Sequence, residues 1–405
     1  MEKNGDVKME SRNQKILLGL SIAAFLGPFT QTIYTPSLPE VGHFYAANQF
    51  MVNLTISLYT FILAANQFFV GPLTDTRGRK ATLLPGLLIF MTGSLICFLS
   101  SNYYLFLFGR AIQAFGITTG SVVAAAVIGD IYTPHERGKA MSIYQTMVFL
   151  GPVLGPVIGS FISAYADWHT AFALLAAAAL FAYLYNRSIL PETLPTDAVS
   201  KKITVQTFFN IISNRAASAV MLLAFVQFYG YYIFLVFLPT LLDELFHVSL
   251  AVKGLFFMPL TAGIVLGTLL GGRLQTRLTH ASILVLSSYG IGLVVALFWG
   301  FLHWKLLTIP ALIIFLLSYG ILLGTSLPSQ STSLVNLFLN EKGTAMGVYN
   351  FVRFTGAAIG PLFGTTLYHL GGDDALYITL FVFLLGSAFV IQRTMRQTIA
   401  LQKGA

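Results

Sequence analysis

Carboxylates are scarce in this chain, and the long apolar runs that dominate it contain none. Fifteen Asp and Glu stand among 405 residues. Glu40, Asp167, Asp243, Glu244, Asp373 and Asp374 all lie near the ends of runs. No acid pair is therefore available inside them for general acid–base or nucleophilic work. Cysteine is reduced to Cys97, within an apolar run, which excludes a disulfide framework and a thiolate metal site. The histidines are scattered, with His135, His169, His247, His303 and His369 at or near run ends, and give no metal-ligand spacing. No Ser/His arrangement lies inside the runs, and no GxxxxGK[ST] loop occurs, which argues against direct ATP hydrolysis. Neither a cofactor nor a metal is implied. The first run follows Lys15 without a small-residue cleavage site and is read as a retained helix.

What is present is apolar surface. Hydrophobic residues make up 56% of the chain, aromatic residues 14% and charged residues 9%, with a mean hydropathy of +0.77. A soluble protein of that balance would expose apolar patches incompatible with solubility. At roughly 20 residues per span, the length accommodates about a dozen membrane helices. The expected spans are 16–38, 50–72, 81–100, 103–128, 140–165, 168–190, 216–242, 252–272, 281–302, 306–338, 345–369 and 375–395. Pro36 and Pro39 are expected to end helix 1, and helix 10 is too long for one crossing, so its end near Pro328 should kink or extend past the bilayer.

The net charge of +8 could suggest nucleic acid, but its distribution excludes that partner. Of the 23 Lys and Arg, Lys253 and Lys305 fall on the assigned outer side and Arg110 and Arg353 within spans. The other nineteen lie on the assigned inner side. This asymmetry places both termini in the cytoplasm. Residues 136–159 repeat at 341–364 without a gap, with ten identities that include Gly151/Gly356, Gly155/Gly360, Pro156/Pro361 and Gly159/Gly364. The chain thus reads as an all-α integral membrane protein of two six-helix halves. A cytoplasmic tail (1–15) precedes the first half (16–190), a cytoplasmic linker (191–215) joins the halves, and a second half (216–395) ends in a tail (396–405). In such folds the substrate site lies near mid-membrane between the halves.

The most polar stretch between spans runs from Gly71 to Lys80 and reads GPLTDTRGRK. A turn this charged must break the membrane surface, and its basic residues put it on the cytoplasmic side. Its spacing resembles the signature turn of the major facilitator superfamily of transporters, between that family's second and third helices. The resemblance implies that Asp75 caps the start of helix 11, near Gly343, when the cytoplasmic side is closed. There it would meet free backbone N–H groups and the positive end of the helix dipole. It also implies that Gly71 and Gly78 permit the tight backbone and that Arg79 pairs with Asp130. A solvated turn that only fixes topology is the plainer alternative.

Arg110, seven residues into helix 4, is followed by Gln113, as in the family, although Ala114 replaces the family's next Gly. An arginine at this depth should face a polar cavity. Helix 5 carries Gly151-Pro152-Val153-Leu154-Gly155-Pro156-Val157-Ile158-Gly159, similar to the glycine-proline motif of the superfamily's exporter branch. As a packing seam, its glycines permit close helix contact in either case. The candidate cavity residues are Gln31, Tyr34, Asn53, Tyr59, Arg110, Gln113, Gln145, Gln227, Tyr231, Asn350 and Arg353. The resemblance, extending to bicyclomycin-resistance-like exporters of the twelve-helix drug:proton antiporter group, implies export of small organic molecules by alternating access in exchange for protons. The partners are then a small-molecule substrate, protons and the lipid bilayer, and a monomer is expected.

Many such exporters hold a carboxylate in helix 1, where this chain offers Gln31 and Tyr34. Tyrosine and arginine, with ordinary pKa values of ~10 and above ~12, do not readily exchange protons near neutral pH. A rim carboxylate, Glu40 or Asp130, or a co-titrated substrate, is left to carry the proton. Two intramembrane arginines without a carboxylate favour anionic or zwitterionic cargo, such as a metabolite or metallophore. Arg353 could instead merely hydrogen-bond carbonyls of its own helix, and a non-transporting sensor is the remaining alternative.

Overall fold

The computed structural model describes residues 2–194, 205–338 and 342–403. These residues are helical nearly throughout. Eleven of the described helices are long and apolar enough to cross a membrane. The last contains two spans, because its backbone breaks at Gly371 and Gly372. Gly372 has φ of 61°, a conformation open to glycine but rarely to other residues.

The twelve spans are α1 (Glu2–Thr32), α2 (Gln49–Arg77), α3 (Arg79–Leu99), α4 (Tyr103–Ile131), α5 (Pro134–Tyr165), α6 (Thr170–Ile189), α7 (Arg215–Phe246), α8 (Met258–Leu274), α9 (His280–His303), α10 (Ile309–Leu337), α11 (342–370) and α12 (373–403).

Several boundaries differ from those expected. The polar stretch 2–15 is helical and continuous with the first span in α1. Pro36 and Pro39 do not end the first element outright. They occupy first-turn positions of a 3-10 turn (Thr35–Ser37) and a short helix (Leu38–Tyr45), where a missing N–H costs nothing. The linker contains a short helix at Val205–Ser213, while residues 195–204, with Lys201 and Lys202, lie outside the described residues. The signature segment is not an open turn of ten residues: α2 continues to Arg77 and α3 starts at Arg79. Gly78 alone breaks the helix, with φ of 108°.

The chain divides into two compact units. One comprises Met1–Ala47, Leu58–Lys202 and Leu250–Gly254; the other comprises Asn48–Ser57, Ile203–Ser249 and Leu255–Ala405. Two short stretches group apart from their neighbours in the chain. Residues 48–57 join the second unit, where Asn53 Nδ2 donates to Thr365 Oγ1 at 2.6 Å. Residues 250–254 join the first, where Ser160 Oγ donates to the Ala251 carbonyl at 3.4 Å.

Lipid is as apolar as leucine, so helices in a bilayer associate by close packing of small residues. In the first unit α1 packs on α4, α5 and α6, and α3 on α4 and α6. The α1–α5 seam is made by Gly151, Gly155 and Gly159, which lie against Phe29, Thr32 and Ile33. In the second unit α7 packs on the α11–α12 helix, with Gly356 and Gly360 against the carbonyls of Phe225 and Tyr229. The glycines repeated in sequence therefore do the same work twice, seating the fifth helix of each half on its first. Gly263, Gly267 and Gly271 of α8 likewise meet the carbonyls of Leu317, Ile321 and Thr325 on α10.

Candidate functional site

Glycines also set the first unit's polar centre. A Cβ on Gly93 of α3 would lie 2.6 Å from the Gln113 nitrogen and 2.8 Å from the Gly109 carbonyl oxygen of α4. The two backbones therefore touch beside Arg110, whose side chain is completely buried. Arg110 Nη1 donates to Gln113 Oε1 at 2.8 Å, and Gln113 Nε2 donates to Ser94 Oγ at 2.8 Å. The guanidinium carbon lies 4.2 Å from the Tyr59 ring centre, 4.7 Å from that of Tyr34 and 5.9 Å from that of Phe172. Ring faces attract a cation, and more so when both are desolvated. Arg110 Nε and Nη2 have no hydrogen-bond partner, and among the described residues no carboxylate forms an ion pair with Arg110. A buried cation with unused donors is costly unless acceptors or opposite charge compensate it.

Tyr34, Tyr59, Arg110 and Gln113 thus share one cluster. Gln31 is also buried and donates to Thr60 Oγ1 at 3.3 Å, while the Tyr59 hydroxyl donates to the Gly27 carbonyl at 3.1 Å. In the second unit, Gln227 Oε1 on α7 accepts from Ser326 Oγ and Gln330 Nε2 of α10, both at 2.7 Å. The Tyr349 hydroxyl on α11 donates to Gln330 Oε1 at 2.8 Å. Arg353, half-buried one turn on, places its guanidinium 4.6 Å from Phe228, 4.8 Å from Phe354 and 5.2 Å from Tyr349. Tyr231 is buried beside Phe228 and Tyr232. Gln145 is exposed on α5 and Asn350 half-buried on α11, and neither joins these clusters.

The charged residues of the signature segment form a second constellation. Arg79 is buried and donates from Nη1 to Asp75 Oδ1 at 2.8 Å and to the Thr74 carbonyl at 2.8 Å, and from Nε to Asp130 Oδ2 at 3.1 Å. The Arg79–Asp130 pair expected from the resemblance is present. Asp75 lies one turn before Arg79, and its side chain is 53% exposed.

Lys253, counted from the sequence among the loop charges, forms an ion pair. It is buried, with Nζ 3.8 Å from Glu40 Oε1.

Sequence reasoning missed Ser326, Gln330 and Tyr349. A signal existed, since residues 325–333 of α10 crowd six Ser and Thr and one Gln around Pro328. It also missed Phe172, which carries no polar group, and Glu192 with Thr193, which stand in the linker.

Twelve helices in two halves with an internal repeat, an ion-paired signature segment and a buried polar centre define a membrane transporter. The Major Facilitator Superfamily profile matches residues 20–361 and 220–399, and the chain belongs to that family. It is a multi-pass membrane transport protein, not an enzyme. It is 27% identical over 353 residues to the uncharacterized MFS-type transporter YdgK of Bacillus subtilis, covering 85% of this chain and 87% of that protein. It is 25% identical over 345 residues to the multidrug resistance protein MdtL of Salmonella schwarzengrund, covering 83% and 85%. A D-xylose-proton symporter superposes with a TM-score of 0.77 at 15% identity, over 93% of this chain and 96% of that one, which shows the shared fold.

Proposed function

We propose that this protein is a secondary active exporter that moves small organic molecules out of the cell by alternating access, in exchange for protons. It acts in the cell membrane as a monomer with both termini in the cytoplasm. The observation that carries export is the Gly151–Gly159 segment with Pro152 and Pro156. It resembles the exporter motif, and here it seats α5 directly on α1. A relative named as a multidrug resistance protein agrees with that direction. Gly71, Asp75, Gly78, Arg79 and Asp130 form the cytoplasmic gate, and Asp75 caps helix 11 when that side closes. The proton moves through Glu40 or Asp130, or with the substrate itself.

A second reading, specificity for anionic or zwitterionic cargo, is favoured by Arg110. It is wholly buried, stacked on two tyrosine rings and left with two unused donor nitrogens. A carboxylate or phosphate group would satisfy both nitrogens, with Arg353 as the counterpart in the other half. The experiment is flux of matched cationic, neutral and anionic compounds in proteoliposomes, with and without an imposed pH gradient. Gradient-driven flux supports exchange; absence of flux for every compound would count against it and favour the non-transporting sensor. Tightest binding by lipophilic cations, unchanged by Arg353→Ala, would refute the anionic reading.

A further inference from the structure

The first turn of a helix has N–H groups without intrahelical partners, and Gly78, at the start of α3, has no side chain to cap them. The acceptor comes from more than a hundred residues away. Glu192 Oε1 accepts from the Arg79 backbone N–H at 2.7 Å, and Oε2 from that of Lys80 at 3.2 Å. The same carboxylate accepts from the backbone N–H groups of Thr193 and Leu194, both at 3.1 Å, which curls its own strand around it. Next to it, the Thr193 hydroxyl donates to Asp130 Oδ2 at 2.9 Å, the oxygen that also accepts from Arg79 Nε. Lys80 Nζ adds a bond to the Arg187 carbonyl at 2.8 Å. A Cβ on Gly78 would collide with the Glu192 carboxylate. The signature glycine thus has a second use here, as the space into which this carboxylate fits.

We propose that Glu192 and Thr193 are positioning residues of the cytoplasmic gate, clamping the start of the linker between the halves onto the signature segment. Glu192 fixes the end of α3 that carries Arg79. Thr193 shares Asp130 with Arg79, so a movement that parts Arg79 from Asp130 also loosens residues 192–194, and the reverse. Opening of the gate and release of these residues are then one event. The contacts themselves are independent of the transport reading; the consequence for turnover rests on it.

Two measurements on the full chain test the proposal. The first is hydrogen–deuterium exchange at the amides of Arg79 and Lys80 in detergent-purified protein. The second is proteoliposome flux for wild type, Glu192→Ala, Glu192→Asp, Asp75→Asn and the Glu192→Ala/Asp75→Asn double variant. Glu192→Ala should speed exchange at both amides about fivefold, the equivalent of losing one helix cap. It should slow turnover with KM unchanged; Glu192→Asp should restore part of the rate; the double variant should be no slower than the slower single. Unchanged exchange would overturn the clamp. Faster exchange with wild-type turnover, or independent effects in the double variant, would overturn its part in gating. Should Glu192→Ala not insert, Thr193→Val keeps the shape and removes only the hydroxyl on Asp130. Wild-type turnover in that variant, or an effect additive with Asp130→Asn, would then overturn the proposal. Absence of wild-type flux would count against transport while the exchange measurement still decided the clamp.

Discussion

Gly159→Ala adds a single methyl group where α5 crosses α1. That Cβ would collide with the Ile33 carbonyl oxygen, 2.5 Å from the carbonyl carbon and 3.2 Å from Cα. Ordinary contact begins at 3.4 Å, so the helices must part by about 0.9 Å at the carbon alone. The obstacle is backbone, which cannot change rotamer to escape. Overpacking of this kind costs about 1–3 kcal/mol, and the strain falls on a seam that extends through Gly155 and Gly151. Gly129→Ala and Gly386→Ala are the controls, because a Cβ at either meets nothing within 4 Å. Thermal unfolding in detergent, followed by near-UV circular dichroism, should show a lower midpoint for Gly159→Ala and none for the controls. Its partner in the repeat, Gly364, faces side chains of Phe237, Leu376 and Ile233 instead, so Gly364→Ala should be milder. A wild-type midpoint for Gly159→Ala, or equal losses in all four variants, would refute the seam argument.

Asp75→Asn should insert normally and cost only about 0.2–1 kcal/mol of stability, because that carboxylate is half-exposed. Its transport should fall by up to ~30-fold if helix 11 loses a charged cap worth ~2 kcal/mol; wild-type flux would argue against the gate. Asp130→Asn should be the more destabilising change, since its side chain is only 19% exposed and accepts from both Arg79 and Thr193, and its effect should be non-additive with that of Arg79→Ala. Arg110→Ala should abolish transport and Arg110→Lys keep a residue of it, because a point charge replaces a planar fork across two rings. Arg353→Ala should weaken anionic substrates more than neutral ones in a binding comparison. Burial works against ionisation of Glu192, but backbone N–H donors from Arg79, Leu194, Ala81 and Thr193 outweigh it and hold its carboxyl below the usual value. A depressed carboxyl contributes stability that is complete above its unfolded value, about 4.3, and is lost as pH falls through the lower folded value. Protection of the Arg79 amide, corrected for intrinsic exchange, should therefore hold from pH 7 to 5; loss already at pH 6 would contradict this.

Sequence alone determined the number of spans, the duplication and the polar residues that had to find shelter. These follow from rules that act locally: a bilayer demands about twenty apolar residues per helix, and a buried arginine or glutamine demands partners. Where the chain is governed by distant contacts, local reading failed. The signature segment reads as an open turn because its composition is polar, yet it is helical on both sides of Gly78. The cap that makes this possible belongs to Glu192, 113 residues further on. Lys253 reads only as a charge in a loop between spans, and its burial beside Glu40 comes from residues 250–254 packing with the rest of the first unit. Gln145 and Gln113 are indistinguishable as polar residues in apolar helices. Tertiary structure separates them, because α3 approaches α4 closely enough to engulf Gln113 and leaves Gln145 on an open face of α5. Burial and partnership are properties of pairs of helices, and glycines that can be read one by one become a seam only when the opposing backbone is in place.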